Sequence, residues 1–310
     1  MDRLIPTGKL PQKTSLDIPF SKIGIGFEKL DRWIEMCDRI GIKYFEIAHL
    51  FTQWGAEHAP KIMATVHGEY QQIFGWDTDA AGQEYTTFLR AFLTAMLDHL
   101  KKRGDDKRCF FHVSDEPNIK DIEAYKQAQN ILFPMVEGCK HIDALSALEF
   151  YTEGLVQSPV VATNHINAYL DIGAKNLWCY YCCSQCIDTS NRFFSMPSAR
   201  TRIIGIQLYK YNIVGFLHWG YNFYNSVLSD EPVNPYFITD CGGGLQSGDG
   251  FIVYPGKDGP YDSPRHEVFF EALQDMRLFC TLEKKIGRAK TEALLEKYGF
   301  KKSFTEYPHE

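Results

Sequence analysis

Phe110-Phe111-His112-Val113-Ser114-Asp115-Glu116-Pro117 is an apolar, aromatic run that breaks into two adjacent carboxylates and a proline. The run has the composition of a buried strand, and Asp115-Glu116 fall where it gives way to a loop. Consecutive strand residues point to opposite faces, so both acids reach one ligand only where the strand has ended before them. Pro117 favours an extended Glu116 and cannot continue a central strand. Two acids at the mouth of an α/β sheet make a candidate acid/base pair.

Helices and strands alternate on either side of this run. Phe27, Leu30, Ile34, Cys37 and Ile40 recur at helical spacing up to Gly41, and a strand is expected over Ile42–Ile47. A long loop carries His49-Leu50-Phe51-Thr52-Gln53-Trp54. Tyr85, Phe88, Leu89, Phe92, Met96 and Leu100 predict a second helix that stops at Gly104. A helix near Ile119–Val136 follows the acid pair, then strands near Ala144–Leu148, Val160–Thr163 and Leu177–Tyr181. A helix over Pro197–Tyr209, strands Ile213–Trp219 and Phe251–Tyr254, and a helix from Pro264 to Gly287 complete the alternation.

Seven strands separated by helices or long loops imply an α/β protein with a mostly parallel sheet. For this length a (β/α)8 TIM barrel is the leading architecture, with a doubly wound sheet as the alternative. One barrel strand is missing from the count, because residues 1–26 read as a loop or β-ribbon. The barrel is therefore expected to occupy residues 27–310 and to lack its first strand.

The 310 residues carry a formal net charge of −6, which argues against nucleic acid or an anionic membrane as the main partner. The basic run Lys101-Lys102-Arg103 with Lys107-Arg108 is interrupted by Asp105-Asp106 and reads as a solvated helix end. Met1–Leu30 lacks the apolar core of a secretion signal, and no apolar stretch is long enough to span a bilayer. With nine cysteines, reduced thiols in a cytoplasm are expected. Oligomeric state is left open.

In a barrel, ligands bind at the carboxyl ends of the strands. His49 and Trp54, then Asp115-Glu116, Glu149 and Tyr151, Asn164-His165, and Trp178 with Tyr180 fall near successive strand ends. His218-Trp219 with Tyr221-Asn222 follow the next strand, and Asp249 precedes the last. Recurrent aromatics among acids and amides suit a carbohydrate site, where flat rings stack on sugar C–H faces.

Adjacent acids do not suit the usual pair of carboxyl groups that flank a glycosidic bond. They do suit substrate assistance, in which the sugar's own 2-acetamido carbonyl is the nucleophile. Glu116 would protonate the leaving oxygen, and Asp115 would hold the acetamido N–H. A plainer reading makes Ser114 or Asp115 the N-cap of the next helix. Cys179, Cys182, Cys183 and Cys186 offer C-x2-C spacing, but the two pairs overlap and one member lies in a strand. Packed thiols are expected there rather than zinc or an iron–sulfur cluster. Gly242-Gly243-Gly244 lacks the Lys-Ser/Thr of a phosphate loop. No metal or cofactor is called for.

Phe111–Pro117, Leu177–Tyr181, Gly215–Asn222 and Gly248–Pro255, taken in order, resemble the catalytic domain of glycoside hydrolase family 123. The similarity spans roughly Phe27 to Phe279. The resemblance implies a (β/α)8 barrel that removes β-linked N-acetylgalactosamine with retention and substrate assistance. By position it makes Asp115 the acetamido-orienting residue and Glu116 the general acid/base. It sets Trp178, Tyr180, Trp219, Tyr221 and Asn222 in the sugar pocket, and Arg265 also fits the pattern. The family's first barrel strand and N-terminal β-sandwich are not evident here. The long loop His49–Trp76 suggests a subgroup. A glycan-binding barrel remnant without turnover, or action on a different sugar, are the alternatives.

Overall fold

The computed structural model describes residues 24–300. The expected N-terminal loop or ribbon, residues 1–26, lies almost wholly outside them. Six strand segments, β5 and β6 counted as one, carry the framework. They run α1 (Glu28–Ile40), β1 (Phe45–Glu46), β2 (Ile62–Val66), β3 (Glu69–Phe74), α2 (Gln83–Arg103), β4 (Cys109–Phe111), α3 (Ile122–Leu132), β5 (Lys140–His141) and β6 (Asp143–Leu145). Then come α4 (Glu149–Thr152), β7 (Pro159–Ala162), α5 (Ile166–Asp171), β8 (Trp178–Tyr180), α6 (Ser198–Arg202), α7 (Ile204–Lys210) and β9 (Gly215–Leu217). The hairpin β10 (Val253–Pro255) and β11 (Pro260–Asp262) precedes α8 (Pro264–Ile286) and α9 (Arg288–Lys297).

All pairings along the main framework are parallel. β4 lies between β1 and β5, and β6, β7, β8 and β9 follow in order. β5 and β6 are one chain segment interrupted at Ile142, whose N–H still donates to Phe111 O. Beyond β4, the Glu116 N–H donates to Ala144 O, so the segment that ends in the acid pair also leans on β6. The result is one parallel, sequentially ordered arc with mixed α/β architecture. Among the described residues β9 and β1 are not paired with each other.

Both faces of the arc are covered, which is why its strands read as near-continuous apolar runs. Phe111, Leu145, Val161, Cys179 and Phe216 pack towards the helices. Ile142, Ala144, Val160, Ala162 and Tyr180 form a separate cluster on the other face, with Phe110, Trp178 and Leu217 against it. Helix α2 sets Tyr85, Phe88, Leu89, Leu93, Met96, Leu97 and Leu100 against the outer layer. Each such buried side chain is worth roughly 1.5–3 kcal/mol. The helix ends as expected at Gly104, whose left-handed φ of 79° lets its N–H reach Leu100 O and Lys101 O.

Three expectations change. The long loop after β1 contains the β2–β3 hairpin, closed by His67-Gly68 with φ of 52° and 89°, the left-handed pair that a tight hairpin turn needs. The expected strand Phe251–Tyr254 is instead antiparallel β10, paired with β11 and not with the parallel arc. Neither Ser114 nor Asp115 caps a helix, because helical structure resumes only at Ile119. Ser114 is buried, and its hydroxyl donates to Thr52 O at 2.7 Å.

Candidate active site

Glu116 has a φ of 46°, a left-handed conformation that costs a non-glycine residue roughly 1–2 kcal/mol. The extended conformation expected from Pro117 is therefore not adopted. Two backbone bonds outweigh the proline's preference: Trp54 N–H donates to Asp115 O at 2.8 Å, and Glu116 N–H to Ala144 O at 2.9 Å. The turn carries both acids to the carboxyl-terminal side of the arc, where each is half-buried. Tyr180 rises from the inner face of β8 and donates its hydroxyl to Glu116 Oε1 at 2.5 Å.

Burial, and then the neighbouring Glu116 charge, push the pKa of Asp115 up to about 6. His49 and His112 oppose this rise, and Asp143 adds to it. His49 is fixed nearby, its Nδ1 2.6 Å from Phe51 O.

Behind the pair lies a buried anchor that the sequence reading missed. Asp143 is 2% exposed and accepts from the N–H groups of Val113 (3.1 Å) and Ser114 (3.3 Å) and from the Tyr125 hydroxyl. His112 sits between Asp143 (3.4 Å) and Glu46 (3.0 Å). Burial disfavours its charge, yet the two carboxylates outweigh that and push its pKa up to about 9. This network holds the backbone immediately before the acid pair.

A second group forms past β9. Asp249 is fully buried, accepts from Trp219 Nε1 at 3.2 Å and lies 3.4 Å from His218 Nε2. The Gly220 N–H donates to His218 Nδ1 at 3.0 Å. Burial draws the pKa of His218 down to about 4, and the nearby Arg192 guanidinium adds to the fall. His218 is thus neutral, with its remaining proton on the nitrogen facing Asp249. Arg192, also unforeseen, donates to Gly220 O and so ties the loop after β9. Tyr180 on β8 pairs in register with Leu217 on β9, so the chain past β9 emerges beside the strand end that carries Tyr180.

The other expected residues are dispersed. Asn164 is exposed at the end of β7, its Oδ1 accepting from Gln185 Nε2 at 3.0 Å; His165 precedes α5. Tyr221 and Asn222 are exposed beyond Trp219, with the Tyr221 hydroxyl 3.3 Å from His266 Nε2. Trp178 is the first residue of β8, so it lies below Tyr180 on the same face. It packs edge-on to Phe110 at 5.3 Å and covers Gly215, where a Cβ would fall 2.1 Å from its ring. It fills the inner core rather than the rim. Glu149 and Tyr151 belong to α4 in the helical layer, where Tyr151 accepts from the Lys175 N–H at 3.0 Å and packs on Tyr169.

Cys179 is sealed in the outer core while Cys186 is exposed, so the four clustered thiols do not converge. Among the described residues, Asp262, His266 and Glu267 bring three ligand atoms within 4.8 Å of one another at the start of α8. A cavity of about 480 Å³ opens at the opposite, amino-terminal ends of β5 and β7, lined by Phe133, Lys140, His141 and Gln157 among others. It holds neither acid of the pair. No helix of the described residues is long and apolar enough to cross a membrane.

A parallel α/β arc that displays paired acids at its carboxyl ends is the arrangement of a hydrolytic or ligand-binding α/β domain. Residues 21–282 match the family Glycoside hydrolase 123, catalytic domain, and the chain belongs to that family. A solved family 123 glycoside hydrolase from Clostridium perfringens, described for glycolipid glycan hydrolysis, is similar in fold with a TM-score of 0.63 and 16% identity. The match covers 88% of this chain and 48% of that one, so the chain spans about half that protein's length. No curated protein matches.

Proposed function

We propose that the chain hydrolyses a terminal β-linked N-acetylhexosamine, N-acetylgalactosamine first, by a retaining, substrate-assisted mechanism on a (β/α)8-type barrel. The ordered parallel arc, with a packed inner cluster, supports the barrel. The observation that carries the function is the Asp115–Glu116–Tyr180 constellation on the carboxyl-end rim.

The 2-acetamido carbonyl oxygen attacks C1 as the bond from C1 to the leaving oxygen breaks, and Glu116 gives that oxygen its proton. Asp115, once ionised, accepts the acetamido N–H and stabilises the oxazolinium. Water then adds to C1 while Glu116 takes its proton, which restores the acetamido group with net retention. Trp219, whose ring is fixed by Asp249, offers a face for the sugar.

The test is hydrolysis of N-acetylgalactosaminides. Glu116→Gln should abolish turnover of substrates with poor leaving groups and spare activated aryl glycosides in part. Asp115→Asn should cripple every N-acetyl substrate. Full activity of Asp115→Asn on the aryl N-acetylgalactosaminide would refute substrate assistance, and glycan binding with no turnover by the native chain would refute catalysis.

A further inference from the structure

Strand β8 ends at Tyr180, and Cys182 and Cys183 both pack into the same inner cluster as that tyrosine. Consecutive residues of a strand face opposite ways. Past β8 the chain has left that geometry, and the Cys182 thiol hydrogen-bonds the Cys183 sulfur. Cys182 is buried, whereas Cys183 is half-buried, with its Sγ 3.9 Å from Ser184 Oγ. The mechanism above uses neither thiol.

The peptide that joins them is tied to the loop after β9. Cys182 O accepts from Asn191 Nδ2 at 2.9 Å and from the Gln185 N–H at 3.1 Å. Asn191 is fully buried, and its Oδ1 accepts from the Arg192 N–H at 2.8 Å. Arg192 in turn donates through Nη2 to Gly220 O and to His218 Nδ1, on the two residues that flank Trp219.

Neighbouring Cα atoms across a trans peptide are about 3.8 Å apart, short of the roughly 4.4–6.8 Å that disulfides prefer. A bond between adjacent cysteines therefore closes only when their peptide twists. The twist turns Cys182 O away from Asn191 and slackens the tie through Arg192 to Trp219. Strained disulfides are also the readily reduced, regulatory kind. The hydrogen bond from Cys182 draws the Cys183 pKa down to about 7, against the opposing effect of burial. Much of Cys183 is then thiolate at neutral pH, the form that reacts.

We propose that Cys182 and Cys183 are a redox modification site, a vicinal dithiol that hydrogen peroxide closes to a disulfide, and that closure disables the rim by releasing the Trp219 loop. The Cys183 thiolate attacks one peroxide oxygen, the O–O bond breaks, and hydroxide leaves a sulfenic acid on Cys183. The Cys182 sulfur attacks that sulfur, and its proton departs with the hydroxyl as water. Two thiols and one peroxide become one disulfide and two waters, and a dithiol reductant reverses the change. The loss of activity rests on the hydrolase reading above; the closure does not.

The experiment treats the reduced full chain with a small excess of hydrogen peroxide. It is then unfolded, its free thiols are blocked with iodoacetamide, and its peptides are sequenced by tandem mass spectrometry. Cys179 and Cys186 should carry the block, while Cys182 and Cys183 together lack two hydrogen atoms and carry none. Turnover of an aryl N-acetylgalactosaminide should fall about tenfold or more, the scale of a small misplacement at a site, and dithiothreitol should restore it. Cys183→Ser should keep the starting turnover and become insensitive to peroxide. Cys182→Ser should instead stop at a Cys183 sulfenic acid that dimedone traps. Blocked Cys182 and Cys183 after peroxide, a link to Cys186 or between chains, or closure with unchanged turnover overturns the proposal. A reduced native chain without turnover overturns the hydrolase reading, and the peptide masses still decide closure.

Discussion

Asp115→Asn should make the protein more stable while it destroys the activity proposed for it. Folding raises the Asp115 carboxyl from its ordinary 3.8 to about 6, through burial first and the Glu116 charge second. A raised carboxylate inverts the usual sign. Below pH 3.8 the group is neutral in both states and contributes nothing. Between 3.8 and 6 the unfolded chain ionises while the folded one resists, and the cost reaches its full value above 6. The shift corresponds to a ceiling of about 3 kcal/mol. Asp115 is only half-buried at a rim, and solvent screening reduces the realised value to roughly 1–2 kcal/mol. Asparagine keeps the shape and removes the charge. At roughly 2–4 °C per kcal/mol for a domain this large, the variant should melt about 2–8 °C higher at pH 7.5. The assay is a series of melts from pH 4 to pH 8 on both proteins. The two curves should coincide near pH 4, diverge through pH 5–6 and run parallel above pH 7. A variant that is less stable at neutral pH, or a gap that does not change with pH, would refute the reasoning.

Tyr180→Phe removes the hydroxyl that donates to Glu116 Oε1. It should lower kcat/KM for N-acetylgalactosaminides about tenfold or more, as loss of a charge-assisted hydrogen bond does, with folding checked by melting temperature. Asp143→Ala strands the Val113 and Ser114 amides, the Tyr125 hydroxyl and the His112 charge. Urea titration should show a loss of about 3–5 kcal/mol, and a loss under 1 kcal/mol would show that the network is slack.

The acid pair and the parallel arc were legible because both are written locally. An apolar run that breaks at Asp115 marks a strand end, and alternation with helical stretches marks parallel neighbours. Asp143 was not legible, since one carboxylate in Ile142–Leu145 reads as a strand blemish and its partners lie 18 to 30 residues away. The β2–β3 hairpin was hidden by Glu69, Tyr70, Gln71 and Gln72, all exposed, which weaken the alternation that signals a strand. Trp178 was misplaced through a countable feature. It precedes Tyr180 by two residues on the same face, roughly 6–7 Å lower along the strand, so both cannot stand on the rim.

Adjacent acids can share a site only at some conformational cost. A strand carried through Asp115 and Glu116 would send one carboxylate inward and the other away. The left-handed turn at Glu116 removes that constraint, and its strain persists only because the surroundings fix the backbone at several points. Asp143 holds the amides of Val113 and Ser114, the Trp54 N–H holds Asp115 O, and Ala144 O holds the Glu116 N–H. The rigid strands and the buried Asp143 network therefore stabilise a rim that is costly twice over, in backbone strain and in the repulsion that raises Asp115. In the proposed reaction a neutral sugar does nothing to offset that repulsion. The oxazolinium does, because it sets positive charge beside Asp115 as Glu116 loses its proton. A rim that favours the charged intermediate over the neutral substrate meets the condition for binding the transition state better than the ground state.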